Sequence, residues 1–536
     1  MIAMKVFLKN KSLHGQLAVL LLIVATGLFL QRGFMNEYPS HIHAWAEQDH
    51  YALALGFINN GFDFFHPETM IYNKQFPGWW QEAYDNTITS VDFPIHEYVV
   101  ALLMKLFGTT SPWVFRLWTL LWGFIGLFFL YKVAYHLTRS WIKSVLVTAI
   151  ALTSPVYVYF LNGFLPSIPA FSLGVIGLHF YLQYYDSNKR KHFHLSIAFL
   201  TLAMLMRTTF AIELVAILCF ELLRIFRKDS TFLDKLPSVL ISFALFLAYY
   251  LWNKHLRDLY GTLFLNELLP PEDWQDAKEL VADTYHKWTF QYFQRFQYLV
   301  FLLLGLAAIG VGVYHSVKTK KEPASKKPLS LWWLPLIEVF GCLLFSIAMM
   351  QQLPFHDYYL IDTFFLPVML LIALALKALP DTKEVHHVGL GAFFVGIVCA
   401  VMVLHAGDSQ VERREMENDA LVSYEHYQDA DLLLDSLNIS RDAKILCLYG
   451  YAQNGPFIQM KRKGFTVMTN DNNLLETALT WDFDYIVVEN DKFKWHFKNN
   501  NILLSRLKRI GGNKHLSVCT ANNNWIYQEW WQLIYQ

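Results

Sequence analysis

The topology of the chain depends on the apolar run FHLSIAFLTLAMLMRTTFAIELVAILCFELLRI, residues 193–225, which is interrupted by Arg207-Thr208-Thr209. A helix that crosses a bilayer needs about 20 apolar residues, so the run is too long for one ordinary crossing and barely long enough for two. If it crosses twice, every loop rich in lysine and arginine falls on the side of the amino terminus, as the positive-inside rule requires. We therefore predict two crossings, with Arg207 near the outer turn between them.

The composition of the whole chain is that of a membrane protein. Of the 536 residues, 54% are hydrophobic and only 16% are charged, against about 25% in soluble domains. The formal net charge is zero, so nothing in the overall charge favours nucleic acid as a partner. We predict a polytopic α-helical membrane protein with about 11 transmembrane helices. The other predicted crossings are residues 16–30, 112–135, 141–161, 166–185, 235–252, 296–315, 331–350, 359–379 and 388–405.

The amino terminus carries Lys5, Lys9 and Lys11 ahead of the first apolar run. A signal peptide has the same basic start and short apolar core, but no small-x-small cleavage site follows here. We therefore predict an uncleaved anchor with a cytoplasmic amino terminus, in a multi-pass protein of the plasma (inner) membrane. With eleven crossings, the loops 32–111, 162–167, 253–295 and 351–359 and the region from 406 onward lie on the outer face.

The chain is predicted to have two domains, a transmembrane domain over residues 1–405 and an extracytoplasmic α/β domain over 406–536. In the second domain, short β-rich runs alternate with helical patterns, as in a small α/β fold. Cys447 and Cys519 would be able to pair there if the region is extracytoplasmic. Strands are predicted at 444–449, 465–468, 485–489, 515–519 and 525–529, and helices at 429–437, 453–462, 472–481 and 500–510.

The long outer loop contains HIHAWAEQDHYALALGFINNGFDFFHP, residues 41–67, with the closely spaced acids Glu47 and Asp49. Asp49, Leu53 and Phe57 fall on one helical face, which places Asp49 at the polar end of an apolar stripe. A carboxylate there can act as a general base on an acceptor hydroxyl or amine. The alternative is that both acids are solvated loop residues. Later in the loop, residues 94–107 have the pattern of an amphipathic helix that lies along the membrane surface.

Three further groups of residues suit the binding of a phosphate. At the start of the amphipathic helix, Asp92 is either a helix cap or part of a cavity that His96 and Glu97 also face. Arg207 is either a snorkelling arginine at a helix end or the partner of a lipid phosphate. The turn 351–359 is either an ordinary aromatic interface or a phosphate site. It contains His356, Asp357, Tyr358 and Tyr359.

Taken together, these features resemble the GT-C membrane glycosyltransferases. The order is an early acid in the first outer loop, then a Pro-x-x-x-Tyr helix from Pro94 to Gly108, then Ser154-Pro155, then a late His-Asp-Tyr-Tyr turn. The most similar subgroup is the dolichyl-phosphate-mannose protein mannosyltransferase-like family, which includes the bacterial aminoarabinose lipid A transferases. The resemblance extends over about residues 15–405 and rests on the order and spacing of the motifs.

The resemblance implies transfer of a sugar from a polyprenyl-phosphate-linked donor at the outer face, with inversion. Asp49 would be the catalytic carboxylate, with Glu47 beside it, and Asp92, His96, Glu97, Arg207 and the 356–359 turn would bind the donor. The acceptor would be a protein, a lipid or a glycan. Ser167 stands where relatives often carry a second acid, so we expect a reaction that needs no metal or cofactor. The alternative is a non-enzymatic transporter or scramblase of lipid-linked glycans, for which inverted repeats would be expected.

Overall fold

The structure is a computed structural model, and it is mostly helical with a five-stranded sheet in the C-terminal region. It describes residues 2–74, 82–231, 233–318, 329–380, 385–416, 418–448, 450–469, 471–496, 503 and 506–521. The helices before the sheet region are α1 (Ile2–Gln31), α2 (Ala44–Asn59), α3 (Ile95–Phe107), α4 (Pro112–Thr138), α5 (Trp141–Leu152), α6 (Pro155–Phe160), α7 (Ser167–Ser187), α8 (Arg190–Met206), α9 (Ala211–Phe226), α10 (Leu236–Tyr260), α11 (Trp274–Tyr292), α12 (Arg295–Lys318), α13 (Trp333–Ala348), α14 (Tyr359–Asp362), α15 (Phe365–Ala378) and α16 (Val385–Glu415).

The C-terminal region alternates helices and strands. Its elements in chain order are α17 (Asn418–Tyr427), α18 (Ala430–Ser436), β1 (Ile445–Leu448), α19 (Gly455–Met460), β2 (Gly464–Val467), α20 (Asn472–Ala478), β3 (Tyr485–Glu489), α21 (Asn490–His496), β4 (Leu507–Gly512) and β5 (Leu516–Ala521).

The chain divides into two compact units. The first unit comprises Met1–Asn36, Arg116–Tyr249 and Glu267–Glu412, and the second comprises Glu37–Phe115, Tyr250–Asn266 and Arg413–Gln536. The second unit thus combines most of the predicted outer loop with the C-terminal region. Composition alone suggested a boundary near residue 405, whereas α16 continues as one helix to Glu415.

Five helices among the described residues are long and apolar enough to cross a membrane. Shorter apolar helices accompany them, including α5, α13 and α15. The number of crossings predicted from the sequence, about 11, stays a prediction. The five long apolar segments are His14–Gln31, Pro112–Thr138, Leu236–Tyr260, Arg295–Val313 and Gly389–Glu415.

The run 193–225 is broken at the residue that the sequence indicated. Helix α8 ends at Met206, and Arg207 has an extended backbone with φ −147° and ψ 107°. A short 3-10 turn, Thr208–Phe210, leads directly into α9. Two helices of 17 and 16 residues therefore replace one long helix, as the interruption of the apolar pattern predicts.

The amphipathic segment of the outer loop forms α3, within one residue of the predicted 94–107. Gly108 ends it with a left-handed backbone, φ 65°, and its N–H bonds back to the carbonyls of Lys105 and Met104. The prediction that Asp92 caps this helix is wrong, because Pro94 occupies the N-cap position. The Pro94 carbonyl accepts from the Tyr98 N–H at 3.0 Å, so the helical hydrogen bonds begin at the first residue of the predicted segment.

The strands form one sheet in the order β2-β1-β3-β5-β4. β1 pairs in parallel with β2 and β3, whereas β5 runs antiparallel to both β3 and β4. The first three strands are buried along most of their length, as expected of parallel strands covered by helices. The small C-terminal sheet with alternating helices that the sequence predicted is therefore present.

A segment of the long outer loop covers the β2 edge of this sheet. Gly464 donates to the Met70 carbonyl at 3.0 Å and accepts from the Tyr72 N–H at 2.8 Å. The Asn73 amide adds two hydrogen bonds to the backbone of Thr466, at 2.9 and 3.0 Å. These bonds satisfy backbone groups that an edge strand would otherwise expose. The outer loop and the sheet are thus joined within one unit.

The end of the chain differs from the prediction in one helix. The helix predicted over 500–510 is wrong in its last residues, since β4 begins at Leu507 and pairs with β5 across a turn at Asn513. Pairing with a neighbouring strand overrides the local pattern here. The strand predicted at 525–529 lies outside the described residues. Cys447 and Cys519 are both buried, and they form no disulfide. Strand β3 lies between their strands and keeps the two residues farther apart than a disulfide allows.

Candidate functional site

Asp49 is buried in the second unit, and both of its carboxylate oxygens accept hydrogen bonds from amide side chains. The residue lies on α2 and only 3% of it is exposed. Asn454 Nδ2 donates to Oδ1 at 2.7 Å, and Gln453 Nε2 donates to Oδ2 at 2.8 Å. Trp45, one helical turn earlier, also hydrogen-bonds to this carboxylate. Two amides from the C-terminal region and an indole from α2 therefore hold a single carboxylate.

The two amides are placed by the connection from β1 to α19. Asn454 is the N-cap residue of α19, but its side chain makes no capping bond. Its Oδ1 accepts instead from the Met70 N–H at 3.1 Å, which leaves Nδ2 for Asp49. The next residue is Gly455, and a Cβ there would lie 2.3 Å from Gln48 Oε1, so the Gln48 side chain would have to move. The loop before α19 therefore packs against α2 through Asn454, whose side chain does not cap the helix, and Gly455, which has no side chain.

Burial gives Asp49 an acid strength suited to proton transfer near neutral pH. Desolvation raises the pKa of Asp49 from 3.8 to about 7, although the hydrogen bonds from Asn454, Gln453 and Trp45 lower it. A general base works best when its pKa lies near the working pH. Glu47, in the first turn of α2, is equally buried at 3%, so burial does not distinguish the two acids. Asp49 is the acid on which the Gln453 and Asn454 amides converge.

A buried histidine–glutamate pair connects α2 to α3. His50 Nδ1 lies 2.6 Å from Glu97 Oε1, and both residues are buried. Burial alone would raise the pKa of Glu97, but the hydrogen bond and charge of His50 outweigh it, so that pKa lies below its usual value. Glu97 is therefore an ionised partner that orients His50, the residue next to Asp49.

His96 is buried beside this pair and has no hydrogen-bond partner among the described residues. It is 1% exposed, and its ring lies 5.0 Å from that of Phe115 in an edge-on arrangement. Burial lowers the pKa of His96 to about 4, although the charge of Glu97 opposes this. His96 is thus neutral at pH 7. Asp92, half-buried, precedes α3 by three residues.

The other predicted binding residues come together in the first unit, around Arg207. Arg207 Nε lies 2.7 Å from Asp362 Oδ2, and the guanidinium carbon lies 5.4 Å from the centre of the Tyr358 ring and 5.8 Å from that of Tyr359. The His356 ring stacks on Tyr359, with centroids 5.4 Å apart. Asp357 in the same turn is fully buried. A guanidinium, two phenols and an imidazole are all groups that can donate hydrogen bonds to an anion.

Asp362 was not singled out from the sequence, and it forms an ion pair with Arg207. Its side chain is fully buried, while that of Arg207 is 17% exposed. A buried carboxylate at this distance neutralises the guanidinium charge and fixes its orientation. Any phosphate bound by Arg207 would therefore share the cation with Asp362. Gln453, Asn454 and His50 were also missed, because nothing local in the sequence reveals partners that lie tens or hundreds of residues away.

A small groove lies next to the amides that hold Asp49. Gln48 and Gly455, the neighbours of Asp49 and Asn454 in the chain, contribute to its wall. Four tyrosines also contribute to the lining, and their rings present flat apolar faces with polar edges. The four are Tyr38, Tyr424, Tyr427 and Tyr451.

Comparisons with known proteins agree on the fold. Residues 92–252 match the dolichyl-phosphate-mannose-protein mannosyltransferase family. The structure is similar to that of ArnT from Cupriavidus metallidurans bound to undecaprenyl phosphate, with a TM-score of 0.53 and 12% identity, covering 95% of this chain and 99% of that one. No curated protein sequence matches the chain.

Two further solved structures have TM-scores of 0.50 and 12% identity. One is the oligosaccharyltransferase from Archaeoglobus fulgidus in its apo form, with 89% of this chain and 70% of that chain covered. The other is the arabinofuranosyltransferase AftD from Mycobacteria, and that match covers 94% of this chain and 40% of the larger AftD chain. With its apolar helices, this fold is that of a multi-pass integral membrane protein. The resemblance inferred from the sequence is therefore confirmed: the chain has the fold of the GT-C glycosyltransferases and is similar to the mannosyltransferase-like group that contains ArnT.

Proposed function

We propose that the protein is a glycosyltransferase that moves a sugar from a polyprenyl-phosphate carrier to an acceptor at the outer face of the membrane. The observation that carries the proposal is Asp49, a buried carboxylate with a pKa of about 7 whose two oxygens are held by Asn454 and Gln453. Strongly shifted carboxylates held in fixed geometry occur preferentially at catalytic sites. The fold shared with ArnT, solved with undecaprenyl phosphate, supports a polyprenyl-phosphate donor.

The reaction would be a single displacement with inversion. The acceptor hydroxyl or amine attacks the anomeric carbon of the donor, and Asp49 takes the proton that the acceptor loses. The bond from the anomeric carbon to the phosphate oxygen breaks as the new bond to the acceptor forms. The leaving group is the polyprenyl monophosphate, which carries away the electron pair of the broken bond.

The two groups of predicted residues take different parts in this scheme. Arg207, with His356, Tyr358 and Tyr359, would bind the carrier phosphate and stabilise the charge that develops on it. On the acceptor side, the tyrosine-lined groove beside Gln48 suits the flat faces of a sugar or an aromatic side chain. His50, Glu97 and His96 would support α2 and hence Asp49.

The arrangement in the membrane is part of the proposal. Eleven crossings would place the amino terminus in the cytoplasm and the C-terminal region outside, in the plasma (inner) membrane. The break at Arg207 supports this count, since it divides one apolar run into two helices. The lysine- and arginine-rich loops then lie on one side, as the positive-inside rule requires.

The test uses the full-length protein in lipid nanodiscs with a panel of radiolabelled polyprenyl-phosphate sugars. Release of the sugar to water or to an added acceptor is measured for wild type, Asp49→Asn and Glu47→Gln. We expect turnover of at least one donor, and a loss of about 10²–10⁴-fold in Asp49→Asn. The matched control is Asp63→Asn, an exposed acid of the same loop, which should keep wild-type activity.

The outcomes separate the parts of the proposal. Equal rates for wild type and Asp49→Asn would remove Asp49 from the mechanism. Loss of activity in Glu47→Gln alone would transfer the role to Glu47. Failure of the wild type to turn over any donor, while it moves labelled donor between leaflets, would favour the non-enzymatic transporter.

A further inference from the structure

Three potential metal ligands meet at the C-terminal end of β3. The strand ends at Glu489, and α21 follows at once with Asp491 in its first turn. His515 lies in the turn between β4 and β5, and His426 lies on α17. One ligand atom from each of His426, Asp491 and His515 lies within 4.8 Å of the other two. Three separate elements of the second unit therefore bring two imidazoles and a carboxylate together.

The turn that carries His515 is fixed to the end of β3 by hydrogen bonds. The Asn490 N–H donates to the His515 carbonyl at 2.8 Å, and the Asn490 amide donates to the Lys514 carbonyl at 3.0 Å. Asn513 Oδ1 accepts from the backbone N–H of His515 and of Leu516 at 2.8 and 2.7 Å. The backbone on both sides of the group is thus held in place, and only side-chain rotation is needed to adjust the ligands.

A buried carboxylate orients the histidine on α17. Glu489 is fully buried, and its Oε1 lies 2.7 Å from His426 Nδ1. Its Oε2 accepts from the Ser423 hydroxyl at 3.2 Å, so the carboxylate itself is fixed. A histidine that donates from Nδ1 to a carboxylate has the Nε2 lone pair available for a metal, and this second-shell arrangement is typical of metal-ligating histidines.

Nε2 of His426 lies on the side of Asp491, and the His515 ring, which stacks on that of His426, must turn to direct a nitrogen at the same point. His426 Nε2 lies 3.9 Å from Asp491 Oδ2, and the His426 and His515 rings are 4.4 Å apart and nearly parallel. Ligand atoms around a tetrahedral zinc ion, each about 2.0–2.2 Å from the metal, are about 3.4 Å apart. The Asp491 side chain is 69% exposed and free to rotate by the small amount that closes this gap.

We propose that His426, Asp491 and His515 bind a divalent transition metal of the zinc type, with Glu489 as the carboxylate that orients His426. Two imidazoles with one carboxylate suit zinc, whereas calcium and magnesium require a cage of oxygen ligands. Three protein ligands leave a fourth position for water. Because the ligands come from α17, α21 and the β4–β5 turn, the metal would clamp these elements to the sheet.

The experiment measures zinc binding to the full-length protein in nanodiscs after treatment with a chelator and dialysis. Calorimetry and metal analysis should give one zinc ion per chain for the wild type. Asp491→Asn and His515→Gln should weaken the affinity at least 10-fold, since each removes a ligand. The matched control is His496→Gln, a histidine of α21 outside the group, which should bind zinc like the wild type.

A second measurement separates loss of a ligand from loss of the fold. Zinc should raise the melting temperature of the wild type and of His496→Gln, but not that of Asp491→Asn. The Asp491 side chain is 69% exposed, so its replacement leaves the packing of the fold unchanged. Cobalt substituted for zinc should give the visible absorption of a tetrahedral site in the wild type, but not in Asp491→Asn or His515→Gln. If the wild type binds no stoichiometric zinc, or if Asp491→Asn and His515→Gln bind it as tightly, the cluster is an ordinary His–Glu ion pair and the proposal is overturned.

Discussion

Asn454 donates a hydrogen bond to Asp49 at 2.7 Å across 405 positions of sequence. The contact joins the C-terminal α/β region to the first outer loop, and Gln453 repeats it on the other carboxylate oxygen. A loop acid expected to stand at the edge of a membrane bundle is in fact enclosed by the second unit. The C-terminal region therefore has a defined part in positioning this acid.

The first prediction concerns Asn454 and the pH dependence of sugar transfer. Asp49 must be ionised to accept a proton, so the rate should rise with pH through about 7 and then level off. The Asn454 amide lowers the pKa of Asp49, so Asn454→Leu should raise that pKa and move the rise to higher pH by about one unit. The measurement is the pH profile of donor turnover under saturating donor.

Asn473→Leu provides the control, since this asparagine lies on the exposed side of α20 away from Asp49. Its profile should overlay that of the wild type. A profile for Asn454→Leu with an unchanged midpoint and a uniformly lower rate would mean that the amide affects the fold and not the titration of Asp49.

The second prediction concerns stability and follows from the same shift. The folded-state pKa of Asp49 is raised from 3.8 to about 7, so the folded protein binds more protons than the unfolded chain between these values. Stability therefore falls as pH rises through this window. The melting temperature of Asp49→Asn should fall less steeply from pH 5 to pH 8 than that of the wild type. Parallel curves would contradict a buried, shifted carboxylate at this position.

The third prediction compares two histidine–carboxylate pairs of the outer loop. His50 and Glu97 form a buried pair at 2.6 Å, and His66 and Asp63 form an exposed pair at 2.8 Å. Removing one member of a buried pair costs about 3–5 kcal/mol, whereas exposed pairs contribute about 0–1 kcal/mol. Glu97→Ala should therefore lower the melting temperature clearly, and Asp63→Ala should leave it nearly unchanged.

A double-mutant cycle completes that comparison. The double variant His50→Ala, Glu97→Ala should be destabilised by less than the sum of the two single-variant effects. The second substitution removes a side chain that the first has already left without its partner. Additive effects in detergent-solubilised protein would show that the two side chains do not interact as the structure has them.

The fourth prediction concerns Arg207 and its counter-ion. If Arg207 binds the carrier phosphate, Arg207→Ala should raise the KM for the donor about 10-fold or more, and Arg207→Lys should restore it only in part, since lysine lacks the planar fork. Asp362→Asn removes the charge that neutralises Arg207. Polyprenyl monophosphate should then raise the melting temperature of Asp362→Asn more than that of the wild type.

Arg139→Ala is the matched control, as this arginine is 66% exposed in the loop before α5. Its KM and its stabilisation by polyprenyl monophosphate should equal those of the wild type. If the lipid stabilises Arg207→Ala as much as the wild type, Arg207 does not contact the phosphate.

The sequence predicted those features that depend on neighbouring residues. The break at Arg207 follows from a charged residue inside an apolar run, and α3 follows from helical periodicity with Pro94 and Gly108 at its ends. β3 was predicted at its observed residues, 485–489, because a short run of β-branched residues stands between turns. In each case the local pattern and the tertiary structure favour the same element.

The features that sequence reasoning missed depend on distant partners. β4 follows a helical pattern locally, but its pairing with β5 decides its conformation. The sequence predicted that Gln453 and Asn454 start a helix, and Asn454 does directly precede α19. Their contacts with Asp49 depend instead on how α2 packs against the sheet region. The same holds for Asp362 beside Arg207. The two residues are 155 positions apart, so no local pattern in the sequence indicates that they are in contact.

The last prediction tests the eleven crossings. Single cysteines at Ser187, Thr208 and Asp429 would be placed in a chain without its five native cysteines, and all three positions are exposed in the structure. With eleven crossings, a membrane-impermeant thiol reagent added to intact cells should label Thr208→Cys and Asp429→Cys, but Ser187→Cys only after permeabilisation. If 193–225 crossed once, Thr208 would lie within the bilayer and Asp429 inside the cell. Protection of both from the external reagent would therefore overturn the eleven-crossing topology and the placement of the C-terminal region at the outer face.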